Sequence, residues 1–307
     1  MTIQVFIDGA AGTTGLQIRE RLEGRRDITL FQLSDDRRKD VAARAAALND
    51  ADVAILCLPD DAAREAVALI RNDRTRVIDA STAHRIAPGW VYGLPELVGR
   101  ERVAGATRVS NPGCYSTGFI ALVAPLVKAG LIPADWLLTC NAVSGYSGGG
   151  KAMIADYEAG GMPAWSTYAL GLDHKHLPEM RDRCGLATTP IFSPSVVDLY
   201  SGMLVEVPLH IAALPSLPSP AALREVLHAA YDGSPAIRVL DQPGGRTLGV
   251  DRLAGTDRLD LLVLADRANT QARLIAMLDN LGKGASGAAV QSLNLMAGLP
   301  ETEGLRL

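Results

Sequence analysis

The sequence is poor in aromatic residues, at 5% of 307, and has only four cysteines and five histidines. Cys57, Cys114, Cys140 and Cys184 are scattered, which excludes a disulfide framework for a small secreted domain and any Cys-x2-Cys zinc pattern. No acidic or histidine cluster has the spacing of a standard metal site, so no structural metal is expected. Also missing is any apolar run near the roughly 18 residues that cross a bilayer, since 119–127 and 259–265 fall far short. Met1 leads straight into a strand-like Ile3-Gln4-Val5-Phe6-Ile7 without the pattern of a signal peptide, so a cytoplasmic protein with no membrane partner is expected. Charge of one sign is absent too: 30 Lys+Arg against 34 Asp+Glu argues against nucleic acid as a partner. What remains is an ordinary globular composition, 48% hydrophobic and 21% charged, in a chain long enough for two domains.

The first hundred residues alternate short β-branched runs with helical patterns. Strands are expected at 3–7, 28–33, 53–58 and 76–79 and helices at 14–23, 40–48 and 60–70, a Rossmann-like, doubly wound parallel α/β sheet. Past residue 113 the strands lengthen (137–143, 203–207, 258–264) and loops grow, which reads as a second, α+β domain. Residues 208–220, with four prolines, read as an irregular surface connection. Residues 270–297 read as helical, with Leu274, Met277, Leu278 and Leu281 on one face, returning to the first domain. The expected division is a dinucleotide-binding domain, 1–113 completed by 285–307, and a substrate, catalytic and oligomerisation domain, 114–284.

The first strand runs directly into Gly9-Ala10-Ala11-Gly12-Thr13-Thr14-Gly15, which opens a helix. Glycines let backbone approach a pyrophosphate, and the unpaired N–H groups of the helix start stabilise its charge. About twenty residues on, where an acid would bind the ribose of NAD, stands Ser34-Asp35-Asp36-Arg37-Arg38-Lys39. Ser34 with Arg37 and Arg38 suits the 2'-phosphate of NADP, while Asp35 and Asp36 oppose it.

Ser110-Asn111-Pro112-Gly113-Cys114-Tyr115 precedes an apolar helical stretch, which sets Cys114 at a helix N-terminus where a thiolate is favoured. Cys57 lies within an apolar strand and reads as inert, and Cys140 and Cys184 have no activating context. A nucleophilic thiol needs a proton carrier, and His174 and His176 supply candidates at a spacing of two. His84, His210 and His228 are isolated and carry little functional weight.

Together with Tyr92-Gly93-Leu94-Pro95-Glu96-Leu97 and His174-Lys175-His176-Leu177-Pro178-Glu179, these motifs resemble the N-acetyl-γ-glutamyl-phosphate reductases of the shorter type, over the whole chain. Ser144-Gly145-Tyr146-Ser147-Gly148-Gly149-Gly150-Lys151 is similar to a loop of that family. Asn280-Leu281-Gly282-Lys283-Gly284-Ala285-Ser286-Gly287 resembles a nicotinamide-side loop shared with aspartate-semialdehyde dehydrogenases. Ser116 departs from the expected Pro, Ala or Val. The resemblance implies an aspartate-semialdehyde dehydrogenase-like fold and a dimer or tetramer. It implies reduction of a small-molecule acyl phosphate to an aldehyde with NADPH, through a thioester on Cys114 and with His174 or His176 as acid/base. Arg85, Asn111, Ser144 and Lys151 are then expected on the substrate, and Gly9, Ala11, Gly12, Thr13, Thr14, Gly15, Ser34, Arg37, Arg38, Ser81, Gly145 and Asn280 on the cofactor. A reductase of aspartyl or aminoadipyl phosphate, or a non-catalytic NADP-binding regulator, are the alternatives.

Overall fold

A computed structural model describes residues 2–34 and 36–307; Asp35 of the expected phosphate loop lies outside them. The chain forms two compact units, one running to Gly113 and including Ala285–Leu305, the other Cys114–Gly284 with Arg306–Leu307.

In the first unit, β1 (Ile3–Asp8), α1 (Thr13–Leu22), β2 (Ile28–Phe31), α2 (Val41–Asp50), β3 (Val53–Leu56), α3 (Asp60–Leu69) and β4 (Arg76–Asp79) alternate. β5 (Val91–Tyr92), α4 (Pro95–Val98), α5 (Arg100–Ala104) and β6 (Arg108–Ser110) complete the continuous part. Every pairing is parallel and the order is β2-β1-β3-β4-β6-β5, the doubly wound sheet read from the sequence. Residues on alternate sides of each strand feed two cores. Val5, Ile7 and Ile55 pack with Ile18, Leu22 and Val103 on one face, and Phe6, Ala54 and Leu56 pack with Ala47, Leu48 and Ala63 on the other. Burial on both faces explains why β3 is apolar throughout instead of alternating. Asp40 caps α2, its Oδ1 accepting the Ala43 N–H at 2.6 Å, and so fixes the start of that helix.

The second unit begins with α6 (Cys114–Lys128), followed by β7 (Thr139–Gly145), α7 (Gly150–Glu158), β8 (Trp165–Thr167), α8 (Leu177–Cys184), β9 (Ile191–Val197) and β10 (Met203–Leu209). α9 (Pro220–Tyr231), β11 (Ile237–Leu240), β12 (Leu259–Ala265) and β13 (Ala272–Leu278) complete it, and α10 (Gly287–Met296) then returns to the first unit. The mixed sheet runs β11-β12-β13-β10-β7-β9-β8. α6 lies on it so closely that a Cβ on Gly118 would stand 2.9 Å from Val205 Cγ2. Pro125 inside α6 cannot bond the Ala121 carbonyl one turn back, and Tyr231 Oη donates to that carbonyl at 2.7 Å instead.

Two expectations need correction. Residues 272–278 are a strand, not the first half of a helix: β13 is paired antiparallel with both β10 and β12 and, apart from exposed Arg273, is buried on both faces, so it is otherwise apolar and the helical spacing of its leucines is incidental. Only Gly287–Met296 is α-helical, after a π-helical turn at Gly282–Ser286. The 208–220 segment also begins inside β10, where Pro208 pairs with β13 beyond the last residue that β7 reaches, Glu206. A proline is tolerated where one edge of the ladder has ended. Among the described residues no helix is long and apolar enough to cross a membrane.

Candidate active site

In the first unit the turn after β1 is held by close backbone packing. Gly9 has φ +86°, and a Cβ there would lie 2.3 Å from the Cys57 carbonyl oxygen; one on Gly15 would lie 2.7 Å from that of Gly9. Gly12 is the N-cap of α1 and offers no side chain to the first N–H groups, which leaves them for an anion. The turn borders a cavity of about 680 Å³ whose walls include Asp8, Gly9, Ala10, Ala11, Gly12, Leu33, Arg38, Lys39, Arg44 and Cys57. Apolar walls, a turn of glycines and alanines, and cations of this kind fit a dinucleotide. Of the expected phosphate loop, Arg38 and Lys39 reach the cavity wall, whereas Ser34 and Arg37 do not line it. The Ser34 hydroxyl instead bonds Asp36 and, first among the causes, holds its carboxyl below the usual value.

At the end of β4, fully buried Asp79 accepts from Ser81 N and Oγ at 3.0 and 2.7 Å and lies 2.6 Å from His84 Nδ1. His84 stacks on Trp90 with ring centroids 4.1 Å apart. Ser81 is thus tied into the turn, and His84 is a structural pivot of it. Arg85 is 7% exposed, not the surface charge its type suggests, and its Nε donates to the Asn111 carbonyl at 3.1 Å. Asn111 Nδ2 donates to the Ala285 carbonyl at 2.9 Å, all within this unit.

In the second unit Cys114 opens α6 and is half-buried, while Cys140 and Cys184 are buried and their thiols are pushed up by that burial. Cys57 keeps some surface, yet desolvation, then the charges of Asp79 and Asp8, push its thiol up to about 12. Only Cys114 therefore combines access with a helix start. A Cβ on Gly284 would lie 2.9 Å from Cys114 Cβ, so glycine is required there. Next to Cys114, Tyr115 gathers the histidines: its ring centroid is 6.0 Å from those of both His174 and His176, which are 4.7 Å apart. The His176 N–H donates to His174 Nδ1 at 3.2 Å, so a neutral His174 carries its proton on Nε2. His176 is 4% exposed and His174 is half-buried. Tyr168 Oη donates to Tyr115 Oη at 3.0 Å, and that in turn donates to the Ser195 carbonyl at 3.2 Å. Burial, joined by the Cys114 charge, pushes both phenols well above their ordinary range, so both stay neutral donors.

The 144–151 loop is braced on 199–202. A Cβ on Gly145 would stand 2.7 Å from two carbonyl oxygens, and buried Ser144 bonds the Gly145 carbonyl at 2.9 Å. The Asn280 amide accepts from Gly202 N and donates to Ser147 Oγ, both at 2.9 Å, so both its ends serve the loop. Lys151 is exposed at the start of α7. Sequence reasoning missed Tyr168, Asp79, the Asp8–Arg44 pair and Asp279, which accepts from Leu281 N at 2.7 Å and from Ser201 Oγ at 3.2 Å. Tyr168 stands in no motif, but an acid directly before the glycine turn was a usable signal for Asp8.

Residues 4–106 match the semialdehyde dehydrogenase NAD-binding domain and 114–280 its dimerisation domain. The chain is 51% identical to N-acetyl-gamma-glutamyl-phosphate reductase 2 of Pseudomonas putida, over 98% of each, and 51% identical to the N-acetyl-gamma-glutamyl-phosphate reductase of Chelativorans, over 96% of this chain and 98% of that one. Among solved structures, aspartate semialdehyde dehydrogenase II of Vibrio cholerae superposes with a TM-score of 0.72 at 15% identity, over 97% of this chain and 99% of that one. A probable aspartate-semialdehyde dehydrogenase from Pseudomonas aeruginosa gives 0.71 at 18%, over 96% and 98%. The likeness to these two structures is one of fold.

Proposed function

Because the chain belongs to the N-acetyl-γ-glutamyl-phosphate reductase family, we propose that it reduces N-acetyl-γ-glutamyl phosphate to N-acetylglutamate γ-semialdehyde and phosphate, in arginine biosynthesis, as a cytoplasmic NADP-dependent dimer or tetramer. The observation that carries this reading is Cys114 at the start of α6, the one accessible thiol on a helix N-terminus, with two histidines gathered around its neighbour Tyr115.

The Cys114 thiolate attacks the γ-carbonyl carbon, the carbon–oxygen bond to phosphate breaks, and a thioester remains on the sulfur. When bound, NADPH would supply the hydride that the thioester needs to reach the aldehyde level. His174 or His176 gives the developing oxyanion its proton and takes it back as the carbonyl re-forms and the carbon–sulfur bond breaks to return the thiolate. The backbone N–H groups at the start of α6 stabilise the same oxygen. Arg85, buried and oriented by its bond to the Asn111 carbonyl, serves the leaving phosphate, with exposed Lys151 a weaker contributor. The turn of Gly9 and Gly12, closed by Gly15, would hold the pyrophosphate, and Arg38 with Lys39 supports the choice of NADP. Gly145 and Asn280 hold the loop beside Ser144 in shape. Exposed Trp165, Leu170, Leu172 and Ile191 on the second unit support self-association.

The test is the reverse reaction, in which N-acetylglutamate γ-semialdehyde and NADP+ give reduced nicotinamide only when inorganic phosphate is present. Reduction that ignores phosphate would overturn the acyl-phosphate assignment. Single alanine variants of His174 and His176 are expected to separate, one losing about 10²–10⁴ in kcat. Two variants as active as the wild type would remove histidine from the acid/base role.

A further inference from the structure

The cavity of the first unit holds cations of two kinds. Arg38 and Lys39 are exposed on the turn before α2, where solvent and salt screen their charge. Arg44 is different: it lines the same cavity but is only 9% exposed. The Asp40 cap fixes where α2 begins, and a helical side chain four residues in leans back toward the helix start, here toward the end of β1. There Asp8, 5% exposed, accepts on one oxygen from Arg44 Nε at 3.1 Å and Nη2 at 2.8 Å.

That bond occupies one edge of the guanidinium plane. Both bonds to Asp8 use Nε and Nη2, and Arg44 lines the cavity, so the Nη1 edge of an oriented fork is left for an anion there. A guanidinium fork of this shape matches phosphate oxygens. The position is also right by topology. In a doubly wound sheet the adenosine ribose lies by the carboxyl end of the strand after the glycine turn, which is β2, the neighbour of β1.

We propose that Arg44, oriented by Asp8, is the specificity-determining residue for the phosphate on the ribose 2' position, and that Arg38 and Lys39 only concentrate anions near it. The inference rests on the NADP reading above. It assigns Asp8 a role as well: it fixes the fork and cancels its charge toward anions in general, so that discrimination comes from geometry.

The test compares adenosine 2',5'-bisphosphate with 5'-AMP, which differ only in the 2'-phosphate, by calorimetric titration of the full-length protein. Two variants are used, Arg44→Lys, which keeps the charge but loses the fork, and Asp8→Asn with Arg44→Gln, which removes the pair together and leaves no buried unpaired charge. Both are expected to bind the bisphosphate at least about tenfold more weakly with 5'-AMP nearly unchanged, while Lys39→Ala weakens it only at low salt. Retained wild-type preference in both variants would overturn the assignment, and so would equal weakening of both probes, which would make the pair a prop for the glycine turn. A wild-type protein that does not prefer the bisphosphate fails the NADP reading itself, a result separate from either.

Discussion

At the scale of single residues, the four cysteines differ by environment and so should differ in reactivity. Burial raises Cys57, Cys140 and Cys184, and a thiol held as SH reacts slowly. With a disulfide reagent at pH 8 one thiol of the native protein is expected to react fast, and Cys114→Ser should abolish both that phase and reductase turnover while leaving NADP+ binding intact. Fast labelling that survives the substitution would put the reactive thiol elsewhere. The Tyr168 hydroxyl gives a finer case. Tyr168→Phe deletes the donor to Tyr115 but keeps the ring that lies 5.8 Å from His174. A loss of about 0.5–1.5 kcal/mol in stability is expected, with kcat within about threefold of wild type, whereas Tyr168→Ala also removes a wall of the histidine and should lower kcat further. Equal kcat values for the two variants would show that the ring does not position His174.

At the scale of elements, α6 carries the nucleophile, so what fixes the helix also fixes the thiol. Intrinsic propensity says that Gly118→Ala in the middle of a helix stabilises by about 1 kcal/mol. The packing says the reverse, because the new Cβ would meet Val205 Cγ2 at 2.9 Å and Val205 Cβ at 3.0 Å on a central strand that cannot easily give way. We expect the packing to win, with a net loss of about 1–3 kcal/mol, read as a lower melting temperature; a raised one would mean that α6 can lift from the sheet. The same elements show what the sequence made legible. The glycine turn, the parallel strands and the start of α6 follow from local signals, namely β-branched runs, missing side chains and a Pro-Gly turn before an apolar stretch. β13 did not, because beyond exposed Arg273 the strand is buried on both faces and shows no polar alternation, and its leucines fit a helical template equally well. The two-residue β5 and three-residue β6 are too short to show any period. Arg85 and Asn111 were legible as chemistry, but their mutual bond was not, since it joins positions 26 residues apart through a main-chain oxygen.

For the whole molecule, the first unit is built from two stretches of chain, and its stability depends on the second. α10 is buried on nearly every side, with Ala289, Val290 and Leu293 at 0% exposure packed in the same core as Ile18 and Val103. Polar bonds fasten the returning segment as well: Arg25 Nη1 donates to Asn294 Oδ1 at 2.8 Å, Arg100 pairs with Glu301 at 2.6 Å, and Arg76 bonds the Met296 carbonyl. Removing a single large core side chain costs about 2–5 kcal/mol, so losing Val290, Leu293 and Met296 together is comparable to the whole stability of a domain, about 5–15 kcal/mol. A fragment ending at Gly113 should therefore be unfolded and unable to bind adenosine 2',5'-bisphosphate, although it contains the glycine turn, Arg38, Lys39 and Arg44. Joining residues 285–305 to it through a flexible linker should restore both helical circular dichroism and binding. Cooperative melting of the shorter fragment would show that the sheet is stable without α10, and that the return of the chain serves only to connect.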